Sequence, residues 1–516
     1  MQEHTRTEYS VLNIITGVGG YFLNTVMGFI CRMVFTRCLS ADYLGVNGLF
    51  TNVLAMLSLA ELGVGSAIVY ALYKPLAEHD EAKIASLMKV YEKAYRFIGL
   101  VVAGVGLSLM PFLNVIIQEQ PDISESIYLL YLINLFNTAS TYFFSYRSSM
   151  LIAAQMNYVV SGVNYLITIL QSIFQIAFLI SSHNYLGYLL IQTVGTFAYN
   201  VIVSKIAVYE FPYISRKGVE PLPEHEKKRL FANVRDLMLY KISSLLVNST
   251  DNILITFFKG LATTGIASNY TLLVNTLNSL LGQIFNGLTA SVGNHNAIES
   301  GEKKYEMFSF LNMMNFWIFG WASLGIVFCS TDIVRLCFGD AYVLTIDIPI
   351  VMALNFYTVG MMNAVWTYKH TMGLFRYGRL LQIVTGILNI VLSVIMGQQW
   401  GLFGILLATV CARGMTSLWY DPYAVYIHGF KKSPILYLKK YLYFAAVLGI
   451  AAFACKMSFM IIRGSLVLRV ILEIIICSVV TNFVFYIALH RLPEYQKFKE
   501  VLGRVVVLLK MRIARR

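Results

Sequence analysis

Five charged side chains lie inside long apolar runs, where a charge is costly: Arg32, Glu61, Lys241, Asp251 and Arg413. At the centre of a membrane-spanning helix each would cost about 2.5–3.5 kcal/mol on insertion scales, so each is expected to face a cavity or a partner. Glu61 and Arg413 fall near the middle of their runs, too deep to reach the interface cheaply. Arg32, toward one end of its run, and Lys241, toward the other end of its own, are close enough to snorkel. Arginine holds phosphate through paired N–H donors, and lysine holds it as a point charge. Arg32, Lys241 and Arg413 are therefore the candidate cavity residues for a phosphate-bearing, anionic ligand. Glu61 and Asp251 are candidate positions for a coupling Na+ or H+, or for structural ion pairs. Gln283 joins them because it aligns with Glu61 in the repeat described below.

Other chemistry is hard to find. There is no GxxxxGK[ST] phosphate loop, no HExxH and no GxSxG. The 8 histidines are scattered without metal spacing, and the 7 cysteines contain no CxxC pair. No cofactor is expected. Asn248-Ser249-Thr250 fits a glycosylation sequon but lies inside an expected span, so it is read as a chance match. No loop on the expected outer side is long enough to carry the acidic catalytic residues of a membrane glycosyltransferase or polymerase.

The elements that must position the five charges follow from composition. Hydrophobic residues make up 57% of the 516, and charged residues only 13%, against roughly 25% in soluble domains. Lipid is the simpler solvent for such a chain, whose mean hydropathy is +0.65. Apolar runs predict about fourteen spans, at 11–36, 44–73, 88–117, 125–146, 151–181, 185–210, 233–258, 264–292, 306–330, 344–367, 378–397, 401–427, 438–460 and 467–489. Helices are the default, because lipid forces backbone hydrogen bonds to close within each segment. The first run reads as an uncleaved helix rather than a signal peptide.

The net charge of +13 is an orientation signal rather than a nucleic-acid footprint. With the N-terminus inside, the outer loops hold only Arg37, Lys259, Arg335, Lys456, Arg463 and Arg469, and Arg32, Lys241 and Arg413 lie within spans. The remaining lysines and arginines fall on the inner side, as the positive-inside rule requires. Both termini are then cytoplasmic. The rule alone also explains Arg147, Arg235, Lys369 and Arg376 at inner span ends.

A proline-rich and basic break divides the chain. The expected organisation is an N-terminal six-helix half (1–210), a cytoplasmic linker (211–230), a C-terminal six-helix half (231–430), spans thirteen and fourteen (431–490) and a basic cytoplasmic tail (491–516). A shift of about 222 residues aligns Leu39 with Leu261, Asn47 with Asn269 and Glu61 with Gln283, as a parallel repeat would. The tail, with valine and leucine between its basic residues, suits a topology-setting segment or an interfacial helix on anionic lipid.

The stretch Leu39–Asp80 (LSADYLGVNGLFTNVLAMLSLAELGVGSAIVYALYKPLAEHD) resembles the first two-helix segment of bacterial polysaccharide transporters, the Wzx-type oligosaccharide flippases of the multidrug/oligosaccharidyl-lipid/polysaccharide (MOP) superfamily. Thr250–Tyr270, Gly373–Arg376, Asn389–Ser393 and Gly401–Thr409 resemble later segments of the same family. The resemblance implies an all-α, MATE-like integral membrane fold, with two six-helix bundles around a central cavity plus two C-terminal helices. It implies a non-enzymatic transporter in the bacterial cytoplasmic membrane. The expected substrate is an undecaprenyl-pyrophosphate-linked oligosaccharide, moved from the inner to the outer leaflet by alternating access during capsule, exopolysaccharide or O-antigen assembly. Expected partners are membrane lipids and the polysaccharide polymerase and glycosyltransferases of that assembly, with no nucleic acid. A lipid II or other lipid-linked-precursor flippase and a multidrug exporter are the alternatives. The cationic balance of the deep charges disfavours drug export.

Overall fold

The computed structural model describes residues 6–57, 64–113, 117, 121–216, 219, 221–224, 226–227, 250–298, 301–374, 377–378, 380–460, 462 and 464–499. Every regular element among them is helical. The helices are α1 (Arg6–Cys38), α2 (Ala41–Leu57), α3 (Val64–Ala77), α4 (Glu81–Leu109), α5 (Ile127–Ser145), α6 (Ser148–Ala153), α7 (Asn157–Ser182) and α8 (Tyr185–Glu210). Then come α9 (Thr250–Ile298), α10 (Gly301–Phe338), α11 (Asp347–Thr371), α12 (Leu381–Met415), α13 (Ser417–Ala424), a π-helical turn (Val425–Phe430), α14 (Ile435–Phe459) and α15 (Leu466–Leu489). Eight stretches among the described residues have the length and apolar composition to cross a bilayer. Large apolar side chains stand exposed along them, among them Phe97, Phe174, Val194, Phe453 and Phe483. Lipid, not water, suits such surfaces.

Two of the long helices are hairpins in disguise. In α12 the helix is broken at Gly401, at φ 60° and ψ −134°. The chain then doubles back, because the Asn389 amide donates to the Thr409 hydroxyl at 2.8 Å and Thr385 meets Thr416 at 2.7 Å. These pairs converge on Gly401, so the expected spans 378–397 and 401–427 are the arms of one tight turn. A Cβ at residue 401 would be strained in that conformation. Gly260 does the same for α9, where Thr256 and Thr264 meet across the turn at 2.9 Å.

The polypeptide divides into two compact units, Met1–Ser268 and Asn269–Arg516. In the first, α1 packs on α7, α7 on α8, α5 on α8 and α4 on α5. The α4 N-terminus is capped by the Asp80 carboxylate, which accepts from Lys83 N at 2.9 Å. The segment after α8 is tied back to it by Lys83–Glu226 at 2.9 Å and Arg216–Glu81 at 3.1 Å.

The start of α2 also meets the turns that follow Gly260. An ideal Cβ on Gly45 would lie 2.0 Å from the Leu261 carbonyl oxygen, and one on Gly265 would lie 2.2 Å from that of Ala41. Backbone cannot swing aside as a side chain can. Gly45→Ala should therefore cost about 1–3 kcal/mol, the usual range for overpacking, read as a lower thermal midpoint of the purified protein. Gly48→Ala on the same helix meets nothing within 4 Å and should leave the midpoint unchanged. Equal midpoints for the two variants would refute this packing.

In the second unit an aromatic core joins α10, α14 and α15. Phe316 stacks on Phe444 with ring centroids 4.5 Å apart and lies 4.7 Å from Phe485. Near the far ends of these helices two buried acids, Asp332 and Glu473, meet on the Nε of Arg469 at 2.6 and 3.0 Å, and Arg335 holds Asp332 at 2.6 Å. The beginning of the tail docks on the same unit. Tyr495 stacks on Trp317, Lys440 pairs with Glu494, and Lys497 reaches Glu306 at 3.2 Å. Residues 500–516, the rest of the expected tail, lie outside the described residues.

Candidate functional site

In the first unit the chemistry gathers around Arg32. α1 packs along α7, which brings the C-terminal part of α1 against the far end of α7 and the start of α8. The Arg32 guanidinium, half-buried, donates to the Ser268 hydroxyl. Its neighbour Cys31 donates to Gln175 Oε1 at 3.8 Å, and the Gln175 amide donates to the Tyr188 carbonyl at 3.2 Å. The rings of Phe35, Tyr185 and Tyr188 close around this polar chain at 5.1–6.0 Å.

The chain of polar contacts continues from Gln175 to Gln171, whose amide donates to Gln175 Oε1 at 3.4 Å. Gln171 borders a cleft of about 290 Å3 between α5, α7 and α8. Thr141 contributes from α5, Asn164, Ile167, Thr168 and Gln171 from α7, and Gly195, Thr196, Tyr199 and Asn200 from α8. No charged side chain is among these lining residues. Gly195 makes room for the amide, since a Cβ there would lie 2.4 Å from Gln171 Oε1.

In the second unit the charged groups cluster at a broken helix. Arg413, half-buried in the last turn of α12, donates to the Asn355 side chain on α11. One turn later Thr416 leaves helical geometry at φ −126° and ψ −94°. α13 follows with Pro422 inside it, and then the π turn. Irregular helix at membrane depth is tolerated where it lines a cavity or is buried in protein, and π turns often mark functional sites. Asp421, within this stretch, is 1% exposed. It accepts from Lys369 Nζ at 2.6 Å and from Trp366 Nε1 at 3.1 Å, both on α11. Two polar links to α11 thus straddle the break.

The residues singled out from the sequence fall as follows. Arg32 is in the first unit and Arg413 in the second. Asp251 is half-buried on the first described turn of α9. Gln283 is on α9, with its side chain outside the described residues; Glu61 and Lys241 lie outside them altogether, as do Arg235 and Arg376. Arg147, attributed to orientation alone, donates to Ser204 at 2.7 Å and to Tyr146 at 3.0 Å. Two buried acids inside expected spans, Asp421 and Glu473, are not among the five charges. Both sit on basic partners, so they add no net charge to the interior. The polar cleft was not anticipated either. Its signal is the period of α7, where Asn164, Thr168, Gln171 and Gln175 recur at helical spacing inside an apolar span.

In sequence the chain matches no protein-family model and no curated protein. In structure it is similar to a lipid II flippase, MurJ, in an inward closed conformation, with a TM-score of 0.65 and 16% identity over 92% of this chain and 98% of that one. It is also similar to an inward-facing multidrug resistance MATE family transporter of the MOP superfamily, at TM-score 0.55 and 13% identity over 82% and 95%. A MOP superfamily transporter from Pyrococcus furiosus reaches 0.50 and 13% over 82% and 96%. At these identities the likeness is one of fold. The chain has a MOP-like, all-α integral membrane fold.

Proposed function

We propose that the chain is a flippase that moves an undecaprenyl-pyrophosphate-linked oligosaccharide from the inner to the outer leaflet of the bacterial cytoplasmic membrane, with both termini cytoplasmic. The observation that carries this reading is an arginine within an expected span of each unit, Arg32 on α1 and Arg413 on α12, held by a hydroxyl and an amide. Guanidinium in a spanning helix is expensive, and a pyrophosphate that it can hold by paired N–H donors is a ligand that offsets the cost. The fold supports the same reading, since a lipid II flippase shares it. Arginine and lysine hold the pyrophosphate while the polyprenyl tail stays in lipid.

The direction of movement has an energetic basis. One elementary charge is worth about 2.3 kcal/mol per 100 mV, so a pyrophosphate of about two charges gains roughly 4–5 kcal/mol when an inside-negative potential drives it outward. Na+ or H+ coupling is the competing energy source, and Asp251 and Glu61 remain its candidate positions. Export of lipid II or another lipid-linked precursor is the second reading. It rests on the same arginines and the same fold and differs in the headgroup attached to the pyrophosphate.

Binding to the purified protein tests the recognition. Undecaprenyl-pyrophosphate-linked glycolipid extracted from the source membrane should bind at least about tenfold more tightly than a neutral polyprenyl glycoside, a difference a single charge-assisted contact supplies. Binding of a lipophilic cation with none of the pyrophosphate lipid would overturn the reading in favour of drug export.

A further inference from the structure

We propose that the cleft between α5, α7 and α8 is a carbohydrate subsite that takes uncharged, hydroxyl-rich sugar; the proposal deepens the flippase reading and rests on it. The lining has the right chemistry. Asn164, Gln171 and Asn200 bring amides, each able to donate and accept, and Thr168 and Thr196 bring hydroxyls. Sugar hydroxyls also donate and accept, so amides match them where a lone acid or base would not. The described lining residues carry no charge, which suits a neutral ligand. At about 290 Å3 the cleft is at the small end of ordinary ligand pockets, suited to one part of a glycan rather than the whole.

Position strengthens the case. Gln171 and Thr196 occupy the middle turns of α7 and α8, each 26 residues long. An amide facing hydrocarbon without a partner would cost about 4–8 kcal/mol on a water-to-cyclohexane scale. The bland alternative is that these groups bind one helix to the next, as polar residues do in membranes. The hydrogen bonds speak against it, because they run within each helix. Thr141 donates to Thr138 O, Thr196 to Gln192 O, Asn200 to Thr196 O and Gln171 to Gln175. Asn164 makes no hydrogen bond among the described residues. Among the described residues, none of these cleft-lining side-chain oxygens accepts a hydrogen bond from a neighbouring helix.

The cleft is also joined to the candidate anion site. Gln171 leads to Gln175, and Gln175 to Cys31, the residue next to Arg32. A guanidinium at one end of a polar path and uncharged amides at the other fits a pyrophosphate followed by sugar.

Two measurements on the full-length protein test this. First, Asn164→Cys in native membranes should react with a small hydrophilic thiol reagent above the background of the native cysteines. Leu170→Cys, on an exposed apolar part of the same helix, should not. An unreactive Asn164→Cys would show the cleft to be closed to water and overturn the proposal. Second, the wild type should bind the extracted glycolipid more tightly than undecaprenyl pyrophosphate without sugar. Gln171→Leu and Gly195→Ala should remove about tenfold of the glycolipid affinity, the worth of one or two hydrogen bonds, and leave the bare lipid unchanged. Gly195→Ala is the gentler probe, because the new methyl only displaces the flexible end of Gln171. Equal loss for both lipids, or none, would overturn the sugar subsite while the flippase reading stands. Failure of the wild type to bind either lipid would overturn both.

Discussion

Arg413→Ala is expected to lower translocation of the pyrophosphate-linked glycolipid by roughly 10- to 100-fold, the worth of one charge-assisted hydrogen bond of about 1.5–3 kcal/mol. The side chain is one turn from the break at Thr416 and is aimed by Asn355, so its removal takes away both a charge and a fixed direction. Arg413→Lys keeps the charge but not the planar pair of donors, and should fall between the two. Initial rates in proteoliposomes read the effect, with thermal midpoints showing that each variant is folded. Wild-type rates in Arg413→Ala would remove this residue from the substrate path.

The largest effect on stability is expected at Lys369. Its ammonium, with a side-chain exposure of 13%, is paired at 2.6 Å with Asp421, exposed by 1%. Lys369→Met leaves the carboxylate buried with Trp366 as its one remaining donor among the described residues. Breaking a buried pair from one side costs about 3–5 kcal/mol. Thermal unfolding in detergent should show a large drop for Lys369→Met, and adding Asp421→Asn to the same chain should restore most of it, because no buried charge is then left. A double variant as unstable as the single one would mean that the pair acts through packing rather than charge.

The difference between these residues shows what a sequence can carry. The spans were legible because lipid imposes one rule on every segment, and nearly every expected run finds a helix where the structure is described. The turns between them were less so. Trp400-Gly401 reads as a short break, but only the pairs Asn389–Thr409 and Thr385–Thr416 reveal a hairpin so tight that both arms form one continuous element. Arg32 and Arg413 were legible because an isolated charge in an apolar run stands out by cost alone. Their partners were not, since Ser268 and Asn355 are small polar residues distant in sequence. The same holds for Lys369 and Asp421, 52 residues apart, where a basic residue at a span end looked like an orientation signal.

The cleft was legible in part. Asn164, Thr168 and Gln171 share one face of a helix by spacing alone. That α8 supplies the opposing amide of Asn200 and a glycine to seat Gln171 is a fact of packing, and no local pattern predicts it. The close approach of Gly45 to the Leu261 backbone likewise has no signal in either local sequence and appears only when the chain is folded.

Translocation of the native glycolipid by purified protein in proteoliposomes, with an imposed membrane potential and no ion gradient, tests the central claim most directly. The account predicts outward movement that speeds up as the inside becomes more negative. A folded wild-type protein that leaves the glycolipid in place under the same potential, while it carries a lipophilic cation across, would contradict it.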